Sequence, residues 1–183
     1  EKLAVKKIYI VRHGQTKFNE QGIVQGRGVD ASLNDRGRQQ ANQFYQFYKD
    51  AGFQRILIST LKRTYQSVEK FINDGIPYEV YEGLDEISWG IHEGARASEL
   101  RNEYFRNMVA TWRSGETDYK IEGGESPDDV AQRQLPVIEV IKDLPEDTIL
   151  VCMHGRAMRI LMCNILNLPL SEMDKFEHDN LGL

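Results

Sequence analysis

Between Lys6 and Asn19 the chain changes character in a single step. Ile8-Tyr9-Ile10-Val11 is an apolar run of the kind that fills a buried strand, whereas Arg12-His13-Gly14 and the polar residues after it cannot continue one. A buried strand ending in a cation, an imidazole and a glycine sets those groups at a sheet edge, a good place to hold a phosphate. Arginine offers a planar fork of donors to phosphate oxygens. Histidine is a nucleophile or proton carrier near neutral pH, and glycine lets backbone approach a ligand closely. Taken alone, the tripeptide favours the plainer reading, a surface arginine beside a satisfied core histidine, so the rest of the chain has to decide.

The rest alternates strand and helix signals, which predicts an α/β fold with a mainly parallel sheet. Its 183 residues suffice for one domain, 1–183, with a sizeable core. Strands are expected at Lys6–Arg12, Arg55–Ser59 and Thr148–Met153, with a short extended piece, Tyr78–Tyr81, after Pro77. A polar loop fills His13 to about Leu33. Asn34 is a candidate cap for a helix to about Asp50 that buries Ala41, Phe44, Tyr45 and Tyr48 at helical spacing. Thr60 is a candidate cap for a second helix, which carries Arg63 in its first turn and Leu61, Tyr65, Val68 and Ile72 along one face. A third helix, about Ala97–Arg113, offers Leu100, Tyr104, Phe105, Met108, Val109 and Trp112 for packing. Ser126 and Pro127 open a fourth, which Pro136 is expected to kink or split. A fifth, about Arg156–Leu166, is apolar nearly all round and so buried. The chain stops at Leu183 in what reads as a new strand or loop.

Three strand-to-helix junctions therefore carry basic groups: Arg12 and His13, then Arg63, then His154. The ends of parallel strands share one edge, where open α/β sheets bind ligands and helix N-termini add N–H donors. Two arginines and two histidines converging there specify an anion, most simply a phosphoryl group. A metal centre is disfavoured, because the arginines would repel a divalent cation and no HExxH spacing exists. A serine triad lacks its GxSxG elbow. The net charge of −5 argues against general nucleic-acid binding, and no apolar run approaches bilayer length. Cys152 and Cys163 have no metal-like spacing and read as buried thiols of a reducing cytoplasm. Glu1 is not an initiator methionine, which suggests a processed or trimmed start.

An ordered set of motifs then runs along nearly the whole chain: Arg12-His13-Gly14-Gln15-Thr16-Lys17-Phe18-Asn19, Gln25-Gly26, Leu33 to Ala41, Ser59 to Ser67 with Arg63 at its centre, Leu84-Asp85-Glu86, Gly90 to Gly94, Gly123-Gly124-Glu125-Ser126 and His154-Gly155. With these, the chain resembles a histidine phosphatase of the phosphoglycerate mutase-like superfamily. The resemblance implies a three-layer sandwich, a mainly parallel central sheet flanked by helices. It implies His13 as nucleophile, and Arg12, Arg63 and a protonated His154 as stabilisers of the transferring phosphoryl group. Glu86 would be the general acid and then the base. Gly14, Asn19, Gln25, Gly26 and Gly155 would be substrate contacts, and no metal or cofactor is required. His92 stands where the family usually carries Trp, Trp89 where it often carries Phe, and Ser32 where Pro is typical. His178 reads as solvated in a polar tail.

Phosphatase and mutase share such a pocket and differ in how well they keep water from the phosphoenzyme. The stretch that could close over the site, 83–125, is a modest lid. That favours hydrolysis of a small phosphorylated metabolite, with phosphoglycerate mutase as the alternative and a non-catalytic phospho-ligand binder as a third reading. Arg96, Arg101, Arg106, Arg113 and Lys120 are candidates for touching a second anionic group. Neither a nucleic-acid nor a membrane partner is indicated, and the sequence leaves oligomeric state open.

Overall fold

The structure, a computed structural model, describes residues 5–182. Its centre is a sheet of four parallel strands, β1 (Lys7–Arg12), β2 (Arg55–Ile58), β3 (Tyr78–Val80) and β4 (Thr148–Met153), in the spatial order β1-β4-β2-β3. The last strand in sequence is thus inserted between the first two. β1 and β4 pair from Lys7↔Thr148 to Arg12↔Met153, so both strands end at the same height.

Among the described residues six α-helices accompany the sheet: α1 (Lys17–Glu20), α2 (Asp35–Tyr48), α3 (Lys62–Asn73), α4 (Glu99–Arg113), α5 (Pro127–Asp143) and α6 (Gly155–Leu166). Alternate residues of each strand face opposite sides. Ile56, Ile58, Leu150 and Cys152 pack with Phe44 of α2 and with Val68 and Phe71 of α3. Leu57, Ile149, Val151 and Met153 pack with Val130 and Ile141 of α5, Ala157 and Ile160 of α6, and Trp112 of α4. Both faces are covered, which is why the strands read as unbroken apolar runs. The layering is the expected three-layer α/β sandwich.

Local signals account for most boundaries. Asn34 caps α2 by accepting from Gly37 N–H at 2.8 Å. Ser126 and Asp129 form a reciprocal capping box at α5, with Pro127 in its first turn. Within the expected loop 13–33, Thr16 and Asn19 make a second capping box that nucleates the one-turn α1.

Four expectations are corrected. Leu61, not Thr60, stands at the cap position of α3 and makes no side-chain cap bond; Thr60 bonds Asp85 instead, through both its N–H and its hydroxyl. Pro136 neither ends nor splits α5. It lies on the exposed face, so the Gln132 carbonyl that its missing N–H would have met is solvated. α4 starts two residues later than expected, capped by Ser98, and Leu100 is 80% exposed rather than packed. His178 is half-buried against the end of the sheet rather than solvated.

The tail returns to β1. Asn180 bridges Arg12 in parallel, and Leu181 N–H donates to the Arg12 carbonyl at 2.7 Å. Leu183, where a further strand was expected, lies outside the described residues. Both cysteines are free and buried, and among the described residues no helix is long and apolar enough to cross a membrane.

Candidate active site

The strand order decides the site. Because β4 lies between β1 and β2, His154 at its end is placed between His13 at the end of β1 and Arg63 in the first turn of α3. The two imidazole centroids are 5.1 Å apart.

His13 is 2% exposed and firmly oriented. Its Nδ1 lies 2.7 Å from the Gly14 carbonyl, a partner that can only accept, so Nδ1 carries the proton and Nε2 keeps its lone pair. The backbone around it is tied down too. Gly14 N–H donates to Ser67 Oγ at 2.9 Å, Ser67 Oγ donates to the Arg63 carbonyl at 2.7 Å, and Asn180 Nδ2 donates to the His13 carbonyl at 2.8 Å. Burial pushes the His13 pKa well below the usual histidine value, and the charges of Arg63 and Arg12 push it further.

His154 lies in the same field. Burial, then Arg63, His13 and Arg12, hold its pKa well below the usual value, which favours the neutral ring over the protonated one expected. Its Nε2 is 2.8 Å from Ser59 Oγ, and its Nδ1 has no hydrogen-bond partner among the described residues. Arg63 is completely buried. It donates to the carbonyls of Val29 and, at 3.2 Å, Gly26, and its Nε is unpartnered. Arg12 Nε is likewise buried and unpartnered. The buried Arg63 and the partly buried Arg12, each with a free donor, lie beside two imidazoles of lowered pKa and form an anion site in which Glu86 is the leading counter-charge.

Glu86 reaches the group from the opposite side. Its Oε1 accepts from Ile87 N–H and Ala157 N–H, both at 2.9 Å, and its Oε2 accepts from Arg156 N–H at 3.1 Å. The N-terminus of α6 thus orients the carboxylate and leaves Oε2 with a free lone pair. Gln25 Oε1 accepts from Thr16 Oγ1 at 3.0 Å, while its buried Nε2 has no partner. Asn19 accepts from Thr16 through Oδ1 and is not brought to the cavity wall. Gly26 shapes its loop: a Cβ there would lie 2.3 Å from Glu93 Oε1 and 2.4 Å from the Ile87 carbonyl. Gly155 likewise allows close packing, because a Cβ would stand 2.8 Å from His178 Cε1.

A cavity of about 220 Å³ opens here, lined by Arg12, Gln25, Glu86, Trp89, Gly155, Arg156, Arg159 and His178. Sequence reasoning missed Arg156 and Arg159. The signal that singled out Arg63, a cation in the first turn after a sheet-edge junction, applied equally to Arg156, with Arg159 one turn on. Both donate to the same Asp174 oxygen, at 2.8 and 3.0 Å, and Arg113 lies 3.4 Å from the other. One carboxylate therefore faces three guanidiniums. Arg96, Arg101, Arg106, Arg113 and Lys120, the anticipated contacts for a second anion, do not line this cavity. His178 reaches it, with Nε2 3.0 Å from the Gly155 carbonyl and a pKa brought down to about 4 by burial and Arg12.

A family model described as histidine phosphatase superfamily (branch 1) matches residues 8–183. The chain belongs to that superfamily. Among its curated relatives, this histidine phosphatase is 32% identical over 168 residues to a probable phosphoglycerate mutase of Erwinia tasmaniensis, covering 88% of this chain and 75% of the relative. It is 31% identical over 170 residues to 6-phosphofructo-2-kinase/fructose-2,6-bisphosphatase 1 of Bos taurus, covering 92% of this chain. It spans only 34% of that bifunctional protein. Among solved structures, a mycobacterial glucosyl-3-phosphoglycerate phosphatase with bound VO3 superposes with a TM-score of 0.82 at 26% identity, covering 94% of this chain and 88% of that one. A phosphoserine phosphatase of Entamoeba histolytica in complex with 3-phosphoglyceric acid also gives 0.82 at 26% identity, covering 97% and 88%.

The depressed histidines give this histidine phosphatase an acid-sensitive stability. A ring whose pKa is lower folded than unfolded binds fewer protons in the native state. Stability is therefore full above the unfolded value, about 6.5, and falls as the pH drops below it. Each such ring, His13 and His154 alike, contributes at most about 1.4 kcal/mol per pH unit to that fall. Thermal melting should show a lower Tm at pH 5.5 than at pH 7.5, by on the order of 5 °C. His154→Asn should flatten the dependence.

Proposed function

We propose that this chain hydrolyses phosphomonoesters through a phosphohistidine intermediate. The observation that carries the reading is the His13 ring: Nδ1 is fixed on the Gly14 carbonyl, which leaves Nε2 as a neutral nucleophile beside Arg63 and Arg12. Nε2 attacks phosphorus in line and the ester P–O bond breaks. Arg12, Arg63 and the Nδ1–H of neutral His154 hold the equatorial oxygens, with Ser59 donating to His154 Nε2. Glu86, acting as general acid, delivers a proton to the leaving oxygen. Its carboxylate then takes a proton from the water that attacks the P–N bond, and inorganic phosphate leaves. No metal or cofactor enters these steps.

The substrate is read as a small phosphorylated metabolite with a second anionic group. Arg156 and Arg159, which share one carboxylate and line a cavity of about 220 Å³, support that reading. So do the names of the similar phosphatases, which refer to glucosyl-3-phosphoglycerate and fructose 2,6-bisphosphate. Residues 83–125, which supply Glu86 and Trp89, are assigned as the substrate-side lid of a single domain. The two free, buried thiols fit a reducing cytoplasm.

The likeness to a probable phosphoglycerate mutase favours one rival, transfer between hydroxyls of phosphoglycerate. Aryl phosphate and phosphoglycerate are to be offered with excess chelator, with and without a bisphosphoglycerate primer. Phosphate release that needs neither metal nor primer is the expected result. Isomerisation only with primer would establish the mutase instead, and phosphate binding without turnover would reduce the chain to a binding module.

A further inference from the structure

We propose that Arg133 is a positioning residue that holds Glu86 in place for proton transfer, a role resting on the reading of Glu86 as the acid. Arg133 projects from α5, and its guanidinium is almost fully engaged with one short segment. Nη1 donates to the carbonyls of Gly83 at 3.0 Å and Asp85 at 2.9 Å, and Nη2 donates to the carbonyl of Glu86 itself at 3.0 Å. Nε and Nη2 also grip Glu125, at 2.9 and 3.1 Å, and Glu125 Oε1 accepts from Ser88 N–H at 2.9 Å. Five donors in a rigid plane thus fix the backbone on both sides of Glu86.

The surroundings fit a clamp rather than a chance surface contact. Residues 85–87 have no helix or strand of their own to set their path. Gly83 lets the segment lie directly on α5, because a Cβ there would stand 2.4 Å from the Arg133 carbonyl. Asp85 ties the same segment to β2's end through Thr60, at 2.9 Å to N–H and 2.8 Å to the hydroxyl. Burial raises the Glu125 pKa, but Arg133 and the Ser88 N–H outweigh it and hold the group ionised. Arg133 does not line the cavity, and its donors go to the carbonyls of Gly83, Asp85 and Glu86 and to Glu125, so it acts through Glu86. A misplacement of one ångström in a proton donor slows transfer without changing phosphate binding.

The consequence is a dependence on the leaving group. A nitrophenolate leaves without help, whereas the alkoxide of phosphoserine or phosphoglycerate needs the proton. Arg133→Lys keeps the charge and loses the planar fork. It should lower kcat/KM for the alkyl phosphate by about 10- to 100-fold while leaving p-nitrophenyl phosphate within about threefold. In a Glu86→Gln background Arg133→Lys should add little further loss. Circular dichroism and thermal melting identify a variant that has not folded, in which case Arg133→Gln takes its place. Equal losses on both substrates, or a full extra loss on top of Glu86→Gln, would overturn the clamp. If Glu86→Gln alone fails to discriminate between the leaving groups, the acid assignment falls and the clamp with it. If Glu86→Gln discriminates and Arg133→Lys does not, only the clamp falls.

Discussion

His13→Ala is expected to reduce kcat on any phosphomonoester by about 10⁴-fold or more, because it removes the nucleophile rather than a contact to it. The fold should survive. The ring's one hydrogen bond is to the neighbouring Gly14 carbonyl, and the surrounding backbone is held independently through Ser67 and Asn180. Removing a buried ring with a depressed pKa also removes part of the acid sensitivity. Brief incubation with a radiolabelled phosphomonoester followed by denaturation should trap an acid-labile, base-stable phosphoprotein in the unsubstituted chain and none in His13→Ala. Turnover or labelling that survives the substitution would take the nucleophile assignment away from His13.

Arg63→Ala should be nearly as damaging, for a reason that combines charge and architecture. Its guanidinium is completely buried, and it supports the loop before it through the Val29 and Gly26 carbonyls. It is also the largest charge acting on both His13 and His154. Losing it should lower kcat/KM by about 10³-fold, the range seen when one preorganised phosphoryl-stabilising cation is removed. Freeing the part-buried Val29 carbonyl and weakening the hold on the buried Gly26 carbonyl should cost about 1–2 kcal/mol of stability. The diagnostic readout is the pH profile. With Arg63 gone the pKa values of His13 and His154 rise toward the ordinary value, so residual activity should fall off at higher pH on the acid side. Arg63→Lys should keep more of the low pKa than of the rate, because a point charge replaces the field but not the fork. An unchanged pH profile in Arg63→Ala would show that burial alone sets the histidine pKa values.

Much of this was legible in the sequence because it depends on local chemistry. The apolar runs at Ile8–Val11 and Ile149–Cys152, the caps at Asn34 and Ser126, and the basic residues just past three strand ends are all short-range signals, and all lie where those signals put them. The misreadings share a different cause. Thr60 has good cap chemistry, but a carboxylate 25 residues away, Asp85, takes both its N–H and its hydroxyl. Pro136 breaks an isolated helical pattern, yet one exposed, solvated carbonyl is a small penalty for a helix anchored along its other face. His178 lies among polar residues in the sequence and becomes half-buried only because the tail folds back on β1.

The sequence by itself determined the layered α/β architecture, the proposed phosphoryl-binding set and the family, since periodicity, capping and ordered motifs are written residue by residue. Only the tertiary structure decided the protonation and orientation of that set. Burial and the charges of Arg63 and Arg12 push the His154 pKa down, and Glu86 is held at its carboxylate by the start of α6 and at its carbonyl by Arg133. The second cationic pair became Arg156 and Arg159 rather than the arginines of α4, because β4 inserts between β1 and β2 and carries the start of α6 into the crevice. Field strength, burial and direction arise from groups far apart in the chain, and no local pattern encodes them.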